Sequence, residues 1–396
     1  MFNKVMQKLG EERSVIREIF EYGNARKKQI GAENVFDFSL GNPSVPAPDC
    51  VREEIERLVK ETPSANLHGY TSAAGDPGVR AAVANYIQSS FGVAVPAELI
   101  YMTCGAAASL TITLNALFEK DDEFVVITPC FPEYRVFIER AGGKVVTAKS
   151  DKNFHLDLST LKKSIGKNTK AVILNSPNNP TGAVYSAEEI KGLAALLEEK
   201  SKEKGAPIFL ISDEPYRELV YGTQVPYVMN YYENTIVCYS FSKSLSLAGE
   251  RIGYIAIHPA CVGAEDLFAA VCGAGRSLGY VCAPALFQKV CAKCLGKSSD
   301  ISVYDSNRKL LYGALTDMGY ACILPEGAFY LFMKSPEPDA KAFCERAKKY
   351  ELLLVPSDSF GVEGYVRISY CVDSNMIRRA LPAFEKLAKE YFTLRK

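Results

Sequence analysis

From about residue 98 onward, short apolar runs alternate with longer stretches of helical period. Residues 99–102, 123–127, 170–174, 208–211 and 235–238 read as strands rich in Val, Ile and Phe. Helical stretches follow at Gly105, near 132–141 and at 187–200. Short apolar strands alternating with helices predict an α/β fold, with a mostly parallel sheet covered on both faces. The first 35 or so residues read differently, as an amphipathic helix with Val15, Ile16, Ile19 and Phe20 on one face, then a polar turn. An apolar entry at 35–40 ends in Gly41-Asn42-Pro43. Past about residue 290 the pattern changes again. A long helix carrying Val303, Leu310, Leu311 and Leu315 leads to an apolar run at 320–324, a compact α+β unit and a closing amphipathic helix near 375–394. The expected organisation is an N-terminal arm and part of a small domain (1–45), a large domain (46–290) and a small C-terminal domain (291–396). No tandem repeat or low-complexity linker separates the lobes, so they are expected to pack closely.

Composition narrows the class. The 396 residues are 48% apolar and 23% charged, ordinary for a globular enzyme. Lys+Arg and Asp+Glu are both 46, and a net charge of zero argues against a nucleic-acid or acidic-membrane footprint. The N-terminus lacks the apolar core of a signal peptide. No stretch reaches the ~18 apolar residues needed to span a bilayer, so a cytoplasmic protein with no membrane partner is expected. The twelve cysteines lie among apolar neighbours and read as small hydrophobes. Cys291 and Cys294 have metal or redox spacing, but there is no second such pair, and the histidines are only His68, His155 and His258. No metal site is expected.

In a sheet of this kind ligands bind beyond the carboxyl ends of the strands. Five loops there carry suitable polar groups. Gly105-Ala106-Ala107 opens a helix where small residues let a phosphate approach free backbone N–H groups; the bland alternative is a tightly packed helix start. Gly273-Ala274-Gly275-Arg276 fails the dinucleotide pattern, because the third glycine is one place late and no strand precedes it. In Thr128-Pro129-Cys130-Phe131-Pro132, Phe131 either stacks on an aromatic ring or is plain core. The turn-rich 175–182 segment offers the Asn179 amide to a ring oxygen. In Ser212-Asp213-Glu214-Pro215-Tyr216, Asp213 either caps a helix or holds a pyridine nitrogen protonated, and Tyr216 can donate to a ring phenolate.

The fifth loop, Tyr239-Ser240-Phe241-Ser242-Lys243, places one lysine among hydroxyls eight residues before Arg251. A solvated loop would have this composition too, yet the set suits an aldehyde cofactor that also carries a phosphate. The amine would form a Schiff base, and the hydroxyls and arginine would hold the dianion. Arg367 stands alone in an apolar strand and needs an anion there: either a structural salt bridge or a substrate carboxylate that fits its fork.

Together these loops resemble the class I/II aminotransferases of fold-type I, the pyridoxal-phosphate superfamily of aspartate aminotransferase. The resemblance runs from Gly41 to Arg367 in the right order. It is most specific in Asn179-Pro180-Thr181-Gly182, in Asp213 with Tyr216, and in Ser240, Ser242 and Lys243 with Arg251. It implies a seven-stranded, mostly parallel sheet between helices in a large domain, with a smaller α+β domain formed by both termini. It implies that Lys243 binds pyridoxal 5'-phosphate and shuttles the substrate proton, and that Asp213 pairs with the ring nitrogen. Asn179 and Tyr216 would bond the ring oxygen and Phe131 would stack on the ring. Ser240, Ser242, Arg251, Gly105 and the amides of Ala106 and Ala107 would hold the phosphate. Arg367 would clamp the substrate carboxylate beside Gly41 and Asn179. Tyr70 resembles the tyrosine that reaches the neighbouring subunit's phosphate, which implies a homodimer with shared sites. The chain departs from the pattern where Ala106 and Ala107 lack a hydroxyl and where Phe131 replaces Tyr or Trp.

The expected reaction moves an amino group from an L-amino acid to a 2-oxo acid by a ping-pong mechanism. A β-lyase or a decarboxylase would use the same ring-holding residues. A non-catalytic ligand sensor would usually add a helix-turn-helix domain, for which too few residues precede Gly41. Arg276 and Arg26 are the candidates for a second cation near a substrate side chain; a surface ion pair is the alternative for each.

Overall fold

A computed structural model describes residues 2–11 and 14–392. In chain order its strands are β1 (Phe36–Asp37), β2 (Ile100–Thr103), β3 (Glu123–Thr128), β4 (Lys144–Lys149), β5 (Thr169–Asn175), β6 (Phe209–Glu214), β7 (Thr235–Ser240), β8 (Gly253–Ile257), β9 (Cys322–Ile323), β10 (Tyr330–Lys334), β11 (Leu352–Leu353), β12 (Val355–Pro356) and β13 (Tyr365–Ser369). The main sheet has seven strands in the order β2-β8-β7-β6-β5-β3-β4. Only β8 runs antiparallel to its neighbours. The other six therefore point their carboxyl ends to one edge, and the loops after Thr103, Thr128, Asn175, Glu214 and Ser240 converge there.

Alternation along the central strands explains why they read as unbroken apolar runs. In β5, Ala171 and Ile173 join one core while Val172 and Leu174 join the core on the opposite face. Phe124 and Val126 of β3 divide from Val125 and Ile127 in the same way. Both faces are covered, so neither can be polar. A third core gathers Phe38 and Val45 from the N-terminal segment with Tyr216, Leu219 and residues of 304–388. Over it lies the antiparallel sheet β12-β13-β10-β9, and β1 pairs in parallel with β11.

Some differences from the sequence reading have physical reasons. Neither β4 nor β8 was anticipated; β4 is an edge strand, most of its residues are partly or fully exposed, and its apolar signal is weak, whereas β8 is fully buried. The N-terminal region holds two helices, Lys4–Glu11 and Val15–Ile30, separated where Ser14 accepts a hydrogen bond from the Arg17 N–H and caps the second. The closing helix spans Ser374–Ala388, and the expected extension to 394 partly falls outside the described residues. No described helix is long and apolar enough to cross a membrane.

Candidate active site

The converging loops enclose a cavity of about 380 Å³. Its wall includes Gly41, Ala106, Ala107, Phe131, Asn179, Asp213, Tyr216, Ser240, Ser242, Lys243, Arg251 and Arg367. These residues span more than 320 positions of sequence, and the fold brings them together. Gly105 lies just behind. Tyr70 does not reach the cavity; it is 99% exposed, in the segment after the helix Ser64–His68. Arg26 is excluded as a substrate cation, because it forms a 2.6 Å ion pair with Glu351. Arg276 lies exposed in the last turn of the helix Ala264–Leu278. Among the described residues, no group of three or more His, Cys, Asp or Glu is placed to hold a metal ion.

One end of the cavity is built for an anion. The helix Ala106–Leu117 starts after Gly105 with no side-chain cap, which leaves first-turn N–H groups free at the positive end of the helix dipole. Gly105 has φ +87°, and a Cβ there would lie 2.7 Å from Arg251 Nη2, so glycine is required. Ser240 Oγ donates to Ser242 Oγ at 2.8 Å, and Arg251 Nη1 donates to Ser242 Oγ at 3.2 Å. Hydroxyls, free amides and a guanidinium meet at one point, the donor set a phosphate needs.

Lys243 lies between the two ends. It is half-buried, with its amine turned away from water; its Nζ donates to Gly41 O at 2.7 Å and sits 5.5 Å from the Phe329 ring centre. Burial draws its pKa down to about 8, and the charges of Arg251 and Arg367 push the same way against the opposing effect of Cys371. The amine is therefore readily freed of its proton near neutral pH.

Asp213 ends β6 and is 4% exposed. Tyr134 donates to its Oδ2 at 2.5 Å, while Oδ1 is buried with no hydrogen-bond partner. Burial raises its pKa to about 7; the Tyr134 bond opposes this and the Glu214 charge adds to it. An unpartnered buried carboxylate oxygen is costly unless a donor meets it, and the protonated nitrogen of a pyridine ring is a donor of the right kind. The raised pKa has a measurable consequence for the ligand-free protein. A folded-state value above the unfolded 3.8 means that stability from the neutral acid is complete below about pH 3.8 and is lost as pH rises to about 7. Asp213→Asn is expected to gain thermal stability relative to the parent across that window, as read by the difference in melting temperature at pH 4 and pH 8. A difference that does not change with pH would contradict the assignment.

The opposite end carries a buried guanidinium. Arg367, on β13, is 2% exposed. Nη1 donates to Asn179 Oδ1 at 3.1 Å and Nη2 to Ser39 O at 2.5 Å, while Nε has no partner. A guanidinium has five N–H donors, so three remain for an anion. The rings of Tyr330 and Phe360 flank it at 4.6 and 5.1 Å. Tyr216 and Tyr330 share a 2.8 Å hydroxyl contact. Gly41 fits because a Cβ there would lie 2.1 Å from the Tyr330 hydroxyl.

Several site residues escaped the sequence reading. Asn175 ties two loops together: its Nδ2 donates to Asp213 O at 3.0 Å and its Oδ1 accepts from Asn179 N at 2.8 Å. Tyr330, Ile16 and Leu40 also line the cavity, and Tyr134 bonds Asp213. Asn175 had a signal, since it ends a strand; the others became site residues only through tertiary contacts.

The model of the family "Aminotransferase class I and II" matches residues 33–384. An aspartate aminotransferase of Pyrococcus horikoshii is 31% identical over 95% of this chain and 94% of that protein. An aromatic-amino-acid aminotransferase of Thermococcus litoralis is 28% identical over 95% and 96%. Among solved structures, an amino transferase from Eubacterium rectale is similar at TM-score 0.97 and 54% identity, covering 99% of this chain and all of that one. The Thermus thermophilus aspartate aminotransferase with maleate is similar at TM-score 0.87 and 25% identity, covering 98% and 100%. The family match takes in all seven strands of the main sheet and every loop that converges on the cavity, and the chain belongs to the class I and II aminotransferases.

Proposed function

We propose that the cavity holds pyridoxal 5'-phosphate on Lys243, and that this aminotransferase moves the amino group of an L-amino acid to a 2-oxo acid with it. The observation that carries the reading is Asp213 Oδ1, a buried oxygen without a partner on a residue that lines the same cavity as the Lys243 amine. When bound, the cofactor supplies an aldehyde for amino-group exchange and a ring that takes up the electron pair left by the departing Cα proton.

The chain's own residues do the rest. Asp213 would keep a proton on the ring nitrogen and so make the ring electron-poor. Asn179 and Tyr216 would bond the ring oxygen, and Phe131 would pack on the ring. Ser240, Ser242, Arg251 and the first-turn amides at Ala106 and Ala107 would anchor the phosphate. Arg367 fixes the substrate carboxylate and so sets which bond at Cα stands ready to break. The Lys243 amine would take the Cα proton and return it during the exchange.

Tyr70, with almost no contact in its own chain, supports a homodimer in which it reaches the phosphate end of a second copy. Tyr280 and Val281 are exposed beside it, where Cys282 bonds the Thr71 carbonyl. The relatives named for aspartate and for aromatic amino acids share the α-carboxylate, and Arg367 reads that group.

The test is a panel of L-amino acids incubated with the protein, pyridoxal phosphate and a 2-oxo acid. A new 2-oxo acid matched in amount by a new amino acid supports transamination. Ammonia released in step with the keto product would move the reading to β-elimination, and carbon dioxide would move it to decarboxylation.

A further inference from the structure

We propose that Tyr134 is a positioning residue for the cofactor, holding the Asp213 carboxylate and the Phe131 ring in one fixed arrangement. The inference rests on the cofactor reading above. Tyr134 lies in the first turn of the helix Glu133–Ala141 and is 2% exposed. Its hydroxyl donates to Asp213 Oδ2 at 2.5 Å. Its ring meets Phe131 edge-on, with centroids 5.7 Å apart and planes at 84°. Its backbone N–H donates to the Phe131 carbonyl at 3.2 Å. One side chain thus touches both the acid that would meet the ring nitrogen and the aromatic ring that would cover the ring face.

A carboxylate is free to turn about its Cβ–Cγ bond unless something bonds an oxygen. Here a single donor bonds Oδ2, and Oδ1 is left open. The cavity then receives one oxygen at a set angle, as a single ring N–H requires. The same bond favours the ionised acid, because a hydroxyl can only donate to it. Burial holds the Tyr134 hydroxyl protonated, so it remains a donor throughout the working pH range.

The other groups around Asp213 do not duplicate this role. Glu214 is engaged by Arg217 at 2.6 Å. Cys238, opposite Asp213 on β7, is a buried thiol whose pKa is raised by burial. Asn175, opposite on β5, bonds only the Asp213 backbone carbonyl. Tyr216 meets the Tyr330 hydroxyl rather than Asp213. Lys243 bonds Gly41 O.

The experiment compares the parent, Tyr134→Phe, Asp213→Asn and the double variant, each stripped of cofactor. The dissociation constant for pyridoxal phosphate is measured by equilibrium dialysis between pH 5 and pH 9. Tyr134→Phe keeps the ring and its edge contact with Phe131 and removes only the O–H. It is expected to weaken binding about tenfold near neutral pH, as for a lost hydrogen bond to a charged group. The acid-side midpoint of the binding profile should also move to higher pH, since Asp213 loses the bond that opposes its raised pKa. In the Asp213→Asn background the same change should add nothing, because the carboxylate it acts on is gone. A purely structural Tyr134 would lower the melting temperature and leave the constant and its pH midpoint in place. An unchanged constant and midpoint, or a Tyr134→Phe effect of the same size in the Asp213→Asn background, overturns the proposal. A parent that fails to bind pyridoxal phosphate at all overturns the reading of the cavity, and this inference with it.

Discussion

Lys243→Ala abolishes turnover, with kcat falling by about 10⁴-fold or more. That figure is the upper end for a lost general base, and here the site of covalent attachment is lost as well. The structure offers no substitute, since the other cations of the cavity wall, Arg251 and Arg367, are guanidiniums already engaged by Ser242 and by Asn179 and Ser39. Fold and stability should survive the change, because Lys243 is a buried amine whose charge burial already disfavours. The check is a single-turnover measurement of 2-oxo acid formation by the variant loaded with pyridoxal phosphate. Turnover within a hundredfold of the parent would remove Lys243 from its role. In the parent, cofactor uptake should speed up as pH rises through about 8, where the amine loses its proton.

Arg367→Ala lowers kcat/KM for amino acids by roughly 10²–10³-fold, mostly through KM, as expected when one partner of a buried charge pair is truncated. Three N–H donors of the guanidinium are left for an anion, and the flanking Tyr330 and Phe360 rings hold its plane. Arg367→Lys keeps the charge but loses the fork, so it should fall between the parent and Arg367→Ala. Steady-state kinetics with one good donor are enough to rank the three. Amines that lack the α-carboxylate are the control, and they should react equally poorly with all of them. Equal kcat/KM for an amino acid across the three proteins would place the carboxylate elsewhere.

Much of this site was legible because its chemistry sits in loops directly after strands. β3, β5, β6 and β7 are buried on both faces, so they appear as continuous apolar runs, and whatever polar residue follows each one stands out. Asp213, Asn179 and Lys243 were found in that way. β8 was not read as a strand although it has the same apolar pattern, and nothing in its composition reveals that it runs antiparallel. β4 was missed because an edge strand has fewer buried positions to display.

The residues that escaped are those whose partners lie far off in sequence. Tyr134 and Asp213 are 79 positions apart, and Tyr330 and its partner Tyr216 are 114 apart. A tyrosine in the first turn of a helix carries no local mark of the carboxylate it meets. Ile16, on the N-terminal helix, is in the same position: its amphipathic stripe was visible, but the cavity it faces was not. Arg26 shows the converse. It was weighed as a substrate cation against an ion pair, and the ion pair holds: a glutamate from the other end of the chain claims it. Tyr70 was identified only by family resemblance, and in a single chain it touches almost nothing.

The decisive measurement is to load the purified protein with pyridoxal phosphate, reduce it with borohydride and map the digested peptides by mass. The cofactor should be found on the peptide that carries Lys243, at one equivalent per chain, and an amino acid added before reduction should prevent the labelling. A cofactor that stays unattached, or one attached to a lysine outside the cavity, would contradict the reading of Lys243 as the residue on which this chemistry is built.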